Sequence, residues 1–244
     1  MPRAGPSRLA RAPQHMQLDC MCVKDTEAII EPSQHAASRP SSSVRRTRQP
    51  CELAQLFEPE VNVALLGRAH SRGFLAQIAD AMGAVLPDSL MLTVRPTEPG
   101  RRALRDAFSV VPGLAEDVGT AVELLADLTD ASVIGIRLAR VQHAMCPRLH
   151  VDRVTLRSVI TYVGPGTEFV DSSLFDRGLL AAAAGLSPEV TEAGSAARIE
   201  QAATGEVVFL KGERWPGNAG KGAVHRSPPA SREAPRLVLT LDAL

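Results

Sequence analysis

The chain has 244 residues, 45% of them hydrophobic and 22% charged, with 27 Lys+Arg balanced by 27 Asp+Glu. Zero net charge argues against a nucleic-acid binder held by bulk electrostatics, and an aromatic content of 3% against a stacking platform for single-stranded bases. No apolar run approaches the roughly 20 residues of a membrane-spanning helix, and four cysteines in so long a chain make no secreted disulfide framework, so a cytoplasmic protein with one sizeable domain is expected.

Residues 1–50 read as a disordered leader. They hold eight basic residues against four acidic ones, six of the 18 prolines, and the run Ser41-Ser42-Ser43. Such a segment buries too little apolar surface to offset the entropy of ordering it. Its Arg-rich start resembles an organellar transit peptide but lacks the apolar core of a secretory signal. Cys20-Met21-Cys22 could hold a soft metal, yet has no second cysteine pair. An over-extended reading frame, with Met16 or Met21 as the true start, is the simpler account.

Residues 51–244 read as a single α+β domain, with a helix-bearing lobe over 51–130 and a β-rich part over 131–244. The lobe begins with a short helix at Leu53–Phe57 and a buried strand at Val61–Leu66, ended by Gly67. Helical spacing of Phe74, Leu75, Ile78 and Met82 follows, then a strand at Ser89–Val94 and helices near 100–108 and 113–128. His70 reads as a solvated surface residue, and the lobe as structural. In the second part, strands are expected at Ser132–Leu138, from His150 to Val163 with a stop at Gly164-Pro165-Gly166, at Glu206–Lys211, at Ala223–His225 and at Arg236–Asp242. Several strands with turn chemistry between them suggest a jelly-roll barrel, a double-stranded β-helix.

Within that barrel the chemistry gathers at His150-Val-Asp152, His225 and Arg236. Side chains two apart on a strand share a face, so His150 and Asp152 project together, with Val154, Leu156, Ile160 and Tyr162 on the same face of a continuous strand. His225 is the only later histidine, and two histidines with one carboxylate form the facial triad of non-haem Fe(II) sites, which leaves positions open. Arg236 carries a tension. Its face holds Val238 and Thr240, whereas Leu237, Leu239 and Leu241 make the more apolar one.

This pattern of His150-x-Asp152, a long gap, His225 and then Arg236 eleven residues on resembles the Fe(II)/2-oxoglutarate dioxygenases. At closer range, Cys146-Pro-Arg-Leu-His-Val-Asp-Arg153, Tyr162-Val-Gly-Pro-Gly-Thr167, Leu210-Lys-Gly-Glu-Arg-Trp-Pro-Gly217 and His225-Arg-Ser-Pro-Pro229 resemble a bacterial family known only as domain of unknown function 1826. That resemblance covers roughly 51–244 and implies a link to metallochaperone GTPases. The oxygenase resemblance implies Fe(II) on His150, Asp152 and His225. It also implies 2-oxoglutarate chelating the metal, its far carboxylate paired with Arg236 and oriented by Tyr162. Thr167, Glu168 and Trp215 would line the substrate side.

Other roles compete for several of these residues. Tyr162 reads equally as a core tyrosine, Trp215 as loop packing and Cys146 as a small buried apolar residue. Arg153, Arg157, Arg226 and Arg232 are rival anchors. The Gly217–Gly222 run fails as a phosphate loop, because Gly222 follows Lys221 where Ser or Thr is needed and no helix follows. Three functions remain. They are an oxygenase of unknown substrate, a non-catalytic zinc- or iron-binding protein in metal homeostasis, and a zinc hydrolase with Glu168 or Glu213 as its only evident bases.

Overall fold

Alternation along Arg236-Leu-Val-Leu-Thr-Leu-Asp-Ala243 sets the plan of the molecule, because a strand with two different faces needs two different coverings. The computed structural model describes residues 42–70, 72–143, 145–182 and 199–244. In chain order its strands are β1 (Val44–Thr47), β2 (Val63–Leu66), β3 (Ser89–Val94), β4 (Ile134–Val141), β5 (Leu156–Val163), β6 (Glu168–Val170), β7 (Ile199–Gln201), β8 (Val207–Lys211), β9 (His225–Arg226) and β10 (Arg236–Ala243). The helices are a 3-10 helix at Pro50–Phe57, then α1 (Arg72–Ala81), α2 (Glu98–Ala107), α3 (Leu114–Thr129) and α4 (Gly178–Ala182). The chain is thus mixed α/β, and no described helix is long and apolar enough to cross a membrane.

Seven strands form a large sheet in the order β1-β2-β8-β5-β10-β4-β3, and three form a small one in the order β7-β6-β9. All neighbours in the large sheet run antiparallel except β1 and β2. Leu237, Leu239 and Leu241 of β10 face the helices, in one core with Leu156 and Ile160 of β5, Ile136 and Leu138 of β4, and Val118, Val122 and Leu125 of α3. The opposite face is partly covered by the small sheet. There Val63, Leu65, Val159, Val208 and Leu210 pack with Phe169 and Ala202. Strands β2 and β8 bury both faces, which explains their unbroken apolar sequences Val-Ala-Leu-Leu and Val-Val-Phe-Leu.

Several expectations change. Residues before Cys51 belong to the sheet, because Val44–Thr47 pairs with β2 at its edge, and Arg45 and Arg46 form ion pairs with Glu58 and Glu200. A four-residue polar edge strand draws its hydrogen bonds from its neighbour, so composition does not reveal it. Residues 1–41 of the proposed leader, with Met16, Cys20, Met21 and Cys22, lie outside the described residues. Strands β2 and β3, from the first part of the chain, lie near opposite edges of the sheet whose centre comes from the second half. Three short elements, β6, β7 and α4, were not anticipated.

The continuous strand from His150 to Val163 is also corrected. His150 makes an isolated bridge, 151–155 lacks regular structure, and β5 begins at Leu156. The break resets the phase, so Leu156, Ile160 and Tyr162 face the helices instead of sharing a face with His150 and Asp152. Tyr162 is 1% exposed and donates its hydroxyl hydrogen to Asp117 Oδ2 at 2.5 Å. Burial and the neighbouring Asp117 push its ionisation well above the usual phenol range, so it stays a donor. Arg68 donates to the other oxygen of Asp117 at 2.6 Å and, through Nε and Nη2, to the Gly205 carbonyl. His70 joins this group, with Nε2 at 3.2 Å from the Gly205 oxygen and its ring stacked on Phe74. It is therefore part of the packing rather than a solvated surface residue.

This network supports a stability prediction. Asp117→Ala strands the Arg68 guanidinium and the Tyr162 hydroxyl in the interior and should cost about 3–5 kcal/mol. Tyr162→Phe leaves the ion pair intact and should cost about 1–3 kcal/mol. Urea unfolding midpoints would check the order, and equal losses would contradict it.

Candidate metal centre

His150 and His225 face each other across an antiparallel bridge, each backbone N–H donating to the other's carbonyl at 3.0 Å. Residues opposed in this way project to one side, and the two ring centroids lie 4.4 Å apart. Asp152 joins them, with Oδ2 at 3.2 Å from His225 Nε2 and Oδ1 at 3.8 Å from His150 Nε2. One donor atom from each residue lies within 4.8 Å of the other two, the only such His/Cys/Asp/Glu cluster among the described residues.

Each imidazole is oriented by a nearby carbonyl. His150 Nδ1 lies 2.9 Å from the Arg148 oxygen and His225 Nδ1 3.0 Å from the Ala223 oxygen. A carbonyl can only accept, so each Nδ1 carries a hydrogen and each Nε2 is turned toward Asp152, the atom that bonds its carboxylate when it carries a hydrogen and can ligate a cation when it does not. Burial, and next the neighbouring His225, lower the pKa of His150 and favour its neutral, ligating form. Burial opposes the charge on Asp152, but the hydrogen bond from His225 and the charges of His225, Arg157 and His150 outweigh it and hold the carboxyl at about 2.

A second layer fixes the carboxylate. Arg157 Nη1 donates to Asp152 Oδ2 at 2.7 Å, while its Nε and Nη2 make a two-pronged contact with Asp242, both at 2.8 Å. The chain Asp152–Arg157–Asp242 ties the site to β10. Its members are too scattered in sequence to be grouped by spacing, and the signal missed was the phase of β5, which turns Arg157 inward.

The two histidines open on a cavity of about 120 Å³, walled by Val159, Thr167, Ser227, Arg236, Val238 and Thr240 among others. This resolves the parity tension, because the Arg236 face of β10 is the cavity face. Arg236 is 2% exposed. It donates to the Pro165 carbonyl at 2.7 Å, to Ser227 Oγ at 2.8 Å and to Thr161 Oγ1 at 3.3 Å. No carboxylate lies within ion-pair distance among the described residues, and burial lowers its pKa to about 10 despite the more distant Glu168. The Gly164-Pro165-Gly166 turn that presents the carbonyl needs its glycines. Gly164 has φ +83°, and a Cβ on Gly166 would sit 2.1 Å from the Ala202 oxygen.

The remaining expectations divide. Thr167 lines the cavity, as does Cys146, which is exposed rather than buried. Glu168 is committed to Arg226 at 2.5 Å. Trp215 belongs to the helix-side core, against Phe57 and beneath Lys211, and does not reach the substrate side. Tyr162, expected at a keto-acid carboxylate, lies on the opposite face of the sheet. Of the rival anchors, Arg157 and Arg226 are paired with acids, and Arg153 and Arg232 are exposed.

Fold and donors together define a mixed α/β protein with a candidate two-histidine, one-carboxylate metal centre. The chain belongs to the family described as "Protein of unknown function (DUF1826)", whose model matches residues 47–242. No curated protein matches it. Among solved structures, it is similar to a rice dioxygenase for auxin oxidation, with 16% identity and a TM-score of 0.43 over 75% of this chain and 73% of that one. It is also similar to the Arabidopsis thaliana dioxygenase for auxin oxidation 1 in complex with 2-oxoglutarate, at 10% identity and a TM-score of 0.44 over 82% and 91%. HygX from Streptomyces hygroscopicus, with nickel and 2-oxoglutarate bound, matches at 9% identity and a TM-score of 0.42 over 80% and 85%.

Purified protein loaded with Fe(II) or Zn(II) should bind one equivalent, and His225→Ala or Asp152→Ala should lose it. Arg157→Met, which frees the carboxylate, should weaken binding by about 10–100-fold. Metal titration monitored by calorimetry reads both, and undiminished binding in His225→Ala would remove that residue from the site.

Proposed function

We propose that the chain is an Fe(II)/2-oxoglutarate-dependent oxygenase whose large and small sheets are the two halves of a jelly-roll, double-stranded β-helix core. The observation that carries the reading is Arg236. A guanidinium buried among neutral oxygens costs several kcal/mol unless an anion joins it. Arg236 shares its cavity with a triad whose Nε2 atoms and carboxylate are arranged for a cation. A dicarboxylate that chelates a metal through one end and needs a cation at the other fits both features.

His150, Asp152 and His225 would hold the iron, three ligands leaving room for the keto acid. Bound there, the metal and its co-substrate would supply the oxidative chemistry. The chain's own residues do the positioning. Pro165, Ser227 and Thr161 fix the plane of the Arg236 fork, so that it meets a carboxylate with two parallel donors. Val159 and Val238 keep that ion pair from bulk water, which strengthens it. Arg157 holds Asp152 in one orientation while leaving Oδ1 to the metal. Tyr162 has no part in this scheme.

The same donors suit zinc, so a metal-supply protein, linked to metallochaperone GTPases, is the competing reading. The two differ in what Arg236 is for. In anaerobic calorimetry, Fe(II)-loaded protein should bind 2-oxoglutarate. Arg236→Met should leave metal affinity intact and weaken the keto acid by about 2–5 kcal/mol. Wild-type protein that binds metal but no 2-oxoglutarate would reject the oxygenase and leave the metal-supply reading.

A further inference from the structure

The small sheet does not cover the whole inner face of the large one. Beyond Val159, over β10, β4 and β3, none of the small sheet's strands covers the face. It forms a groove of about 530 Å³ lined by Met91, Thr93, Gly135, Arg137, Thr240 and Leu244, among others. Arg137, Met145, Arg157 and Thr240 line both this groove and the metal cavity, so the two are continuous. Register places Met91 opposite Arg137, Arg137 opposite Thr240, and Thr240 opposite Val159. One row of side chains therefore runs from the free edge of the sheet to the apolar wall of the metal cavity.

The chemistry of the groove is selective. Three of the large apolar side chains exposed on the molecule, Met91 at 74%, Leu244 at 71% and Met145 at 44%, meet here. Methionine is unbranched and polarizable, and adapts to a flexible chain. Apart from the two histidines, no aromatic side chain among the described residues lines either space, which gives a planar ring little to stack on. The one acid in the groove, Asp242, is already held by both prongs of Arg157, so a cationic ligand has no carboxylate to claim. Arg137 is exposed and, among the described residues, makes no hydrogen bond or ion pair.

We propose that this groove is the substrate site and that the substrate is an aliphatic carboxylate. Arg137 holds its carboxylate at the junction with the metal cavity, and Met91, Met145 and Leu244 cover its chain. The word substrate rests on the oxygenase reading, whereas the binding does not, so the two fail separately.

The test uses the full chain in metal-free form, with octanoate and octylamine as probes in calorimetry or NMR titration. Octanoate should bind saturably and octylamine should not. Arg137→Gln should weaken octanoate about tenfold or more, the loss expected for a charge partner worth 1.4 kcal/mol. Met91→Glu, which places a like charge in the same row, should abolish binding, and because both positions are exposed neither change should unfold the protein. No octanoate binding, or binding unaffected by Arg137→Gln, overturns the proposal. Octanoate displaced by 2-oxoglutarate but indifferent to Arg137→Gln would place it at Arg236 and also overturn it. A concentration-dependent dimer in sedimentation that Met91→Glu dissolves would assign the groove to a second copy instead.

Discussion

Strand β10 lies between β5 and β4, and every side chain it carries must go to one of two unlike environments. Leu237, Leu239 and Leu241 go to the helices, while Arg236, Val238 and Thr240 go to the cavity. A shift of one residue would drive a guanidinium into the helix-side core and expose three leucines, so the register is strongly fixed. Everything at the site inherits that register. Asp242 is placed to hold Arg157, Arg157 to hold Asp152, and Arg236 to close the far end of the same cavity.

The two inward guanidiniums illustrate how burial and pairing decide a role. Arg157 is satisfied by two carboxylates, at 2.7 and 2.8 Å, and it works as a brace. Arg236 is more deeply buried, has only neutral acceptors, and has its pKa lowered to about 10 by that burial. A cation held in this way is unfavourable in isolation, and the molecule accepts it beside a triad built for a cation of its own. This pair of features is what supports the proposed keto-acid site over a bare metal store.

The helix-side core uses buried charge differently. Asp117, Arg68 and Tyr162 satisfy one another and the Gly205 carbonyl, binding α3 to the central sheet without reaching the cavity. The buried charges on this side are paired and structural, although Ser158 Oγ on the same face has no hydrogen-bond partner among the described residues. On the other side, His150, Asp152 and His225 cluster, and the Arg236 guanidinium has no carboxylate partner among the described residues. That asymmetry between the two faces of one sheet separates scaffold from site.

The sequence by itself determined the elements whose patterns are local. Ser89–Val94 is a strand over the range expected, and the other long strands and helices lie within a few residues of their expected places, except β5, which starts at Leu156 rather than His150. The donors His150, Asp152 and His225 were legible because an i, i+2 pair and a single later histidine leave few combinations. The tertiary structure decided which face each strand turns to which covering. Period-two alternation gives relative sidedness within a strand, but its phase is lost wherever the chain bends. The break at 151–155 therefore hid Arg157 as the brace of Asp152 and falsely joined Tyr162 to the metal face. The same long-range packing showed the Arg236 face to be the cavity wall, and brought Val44–Thr47 into a sheet that its own composition could not have formed.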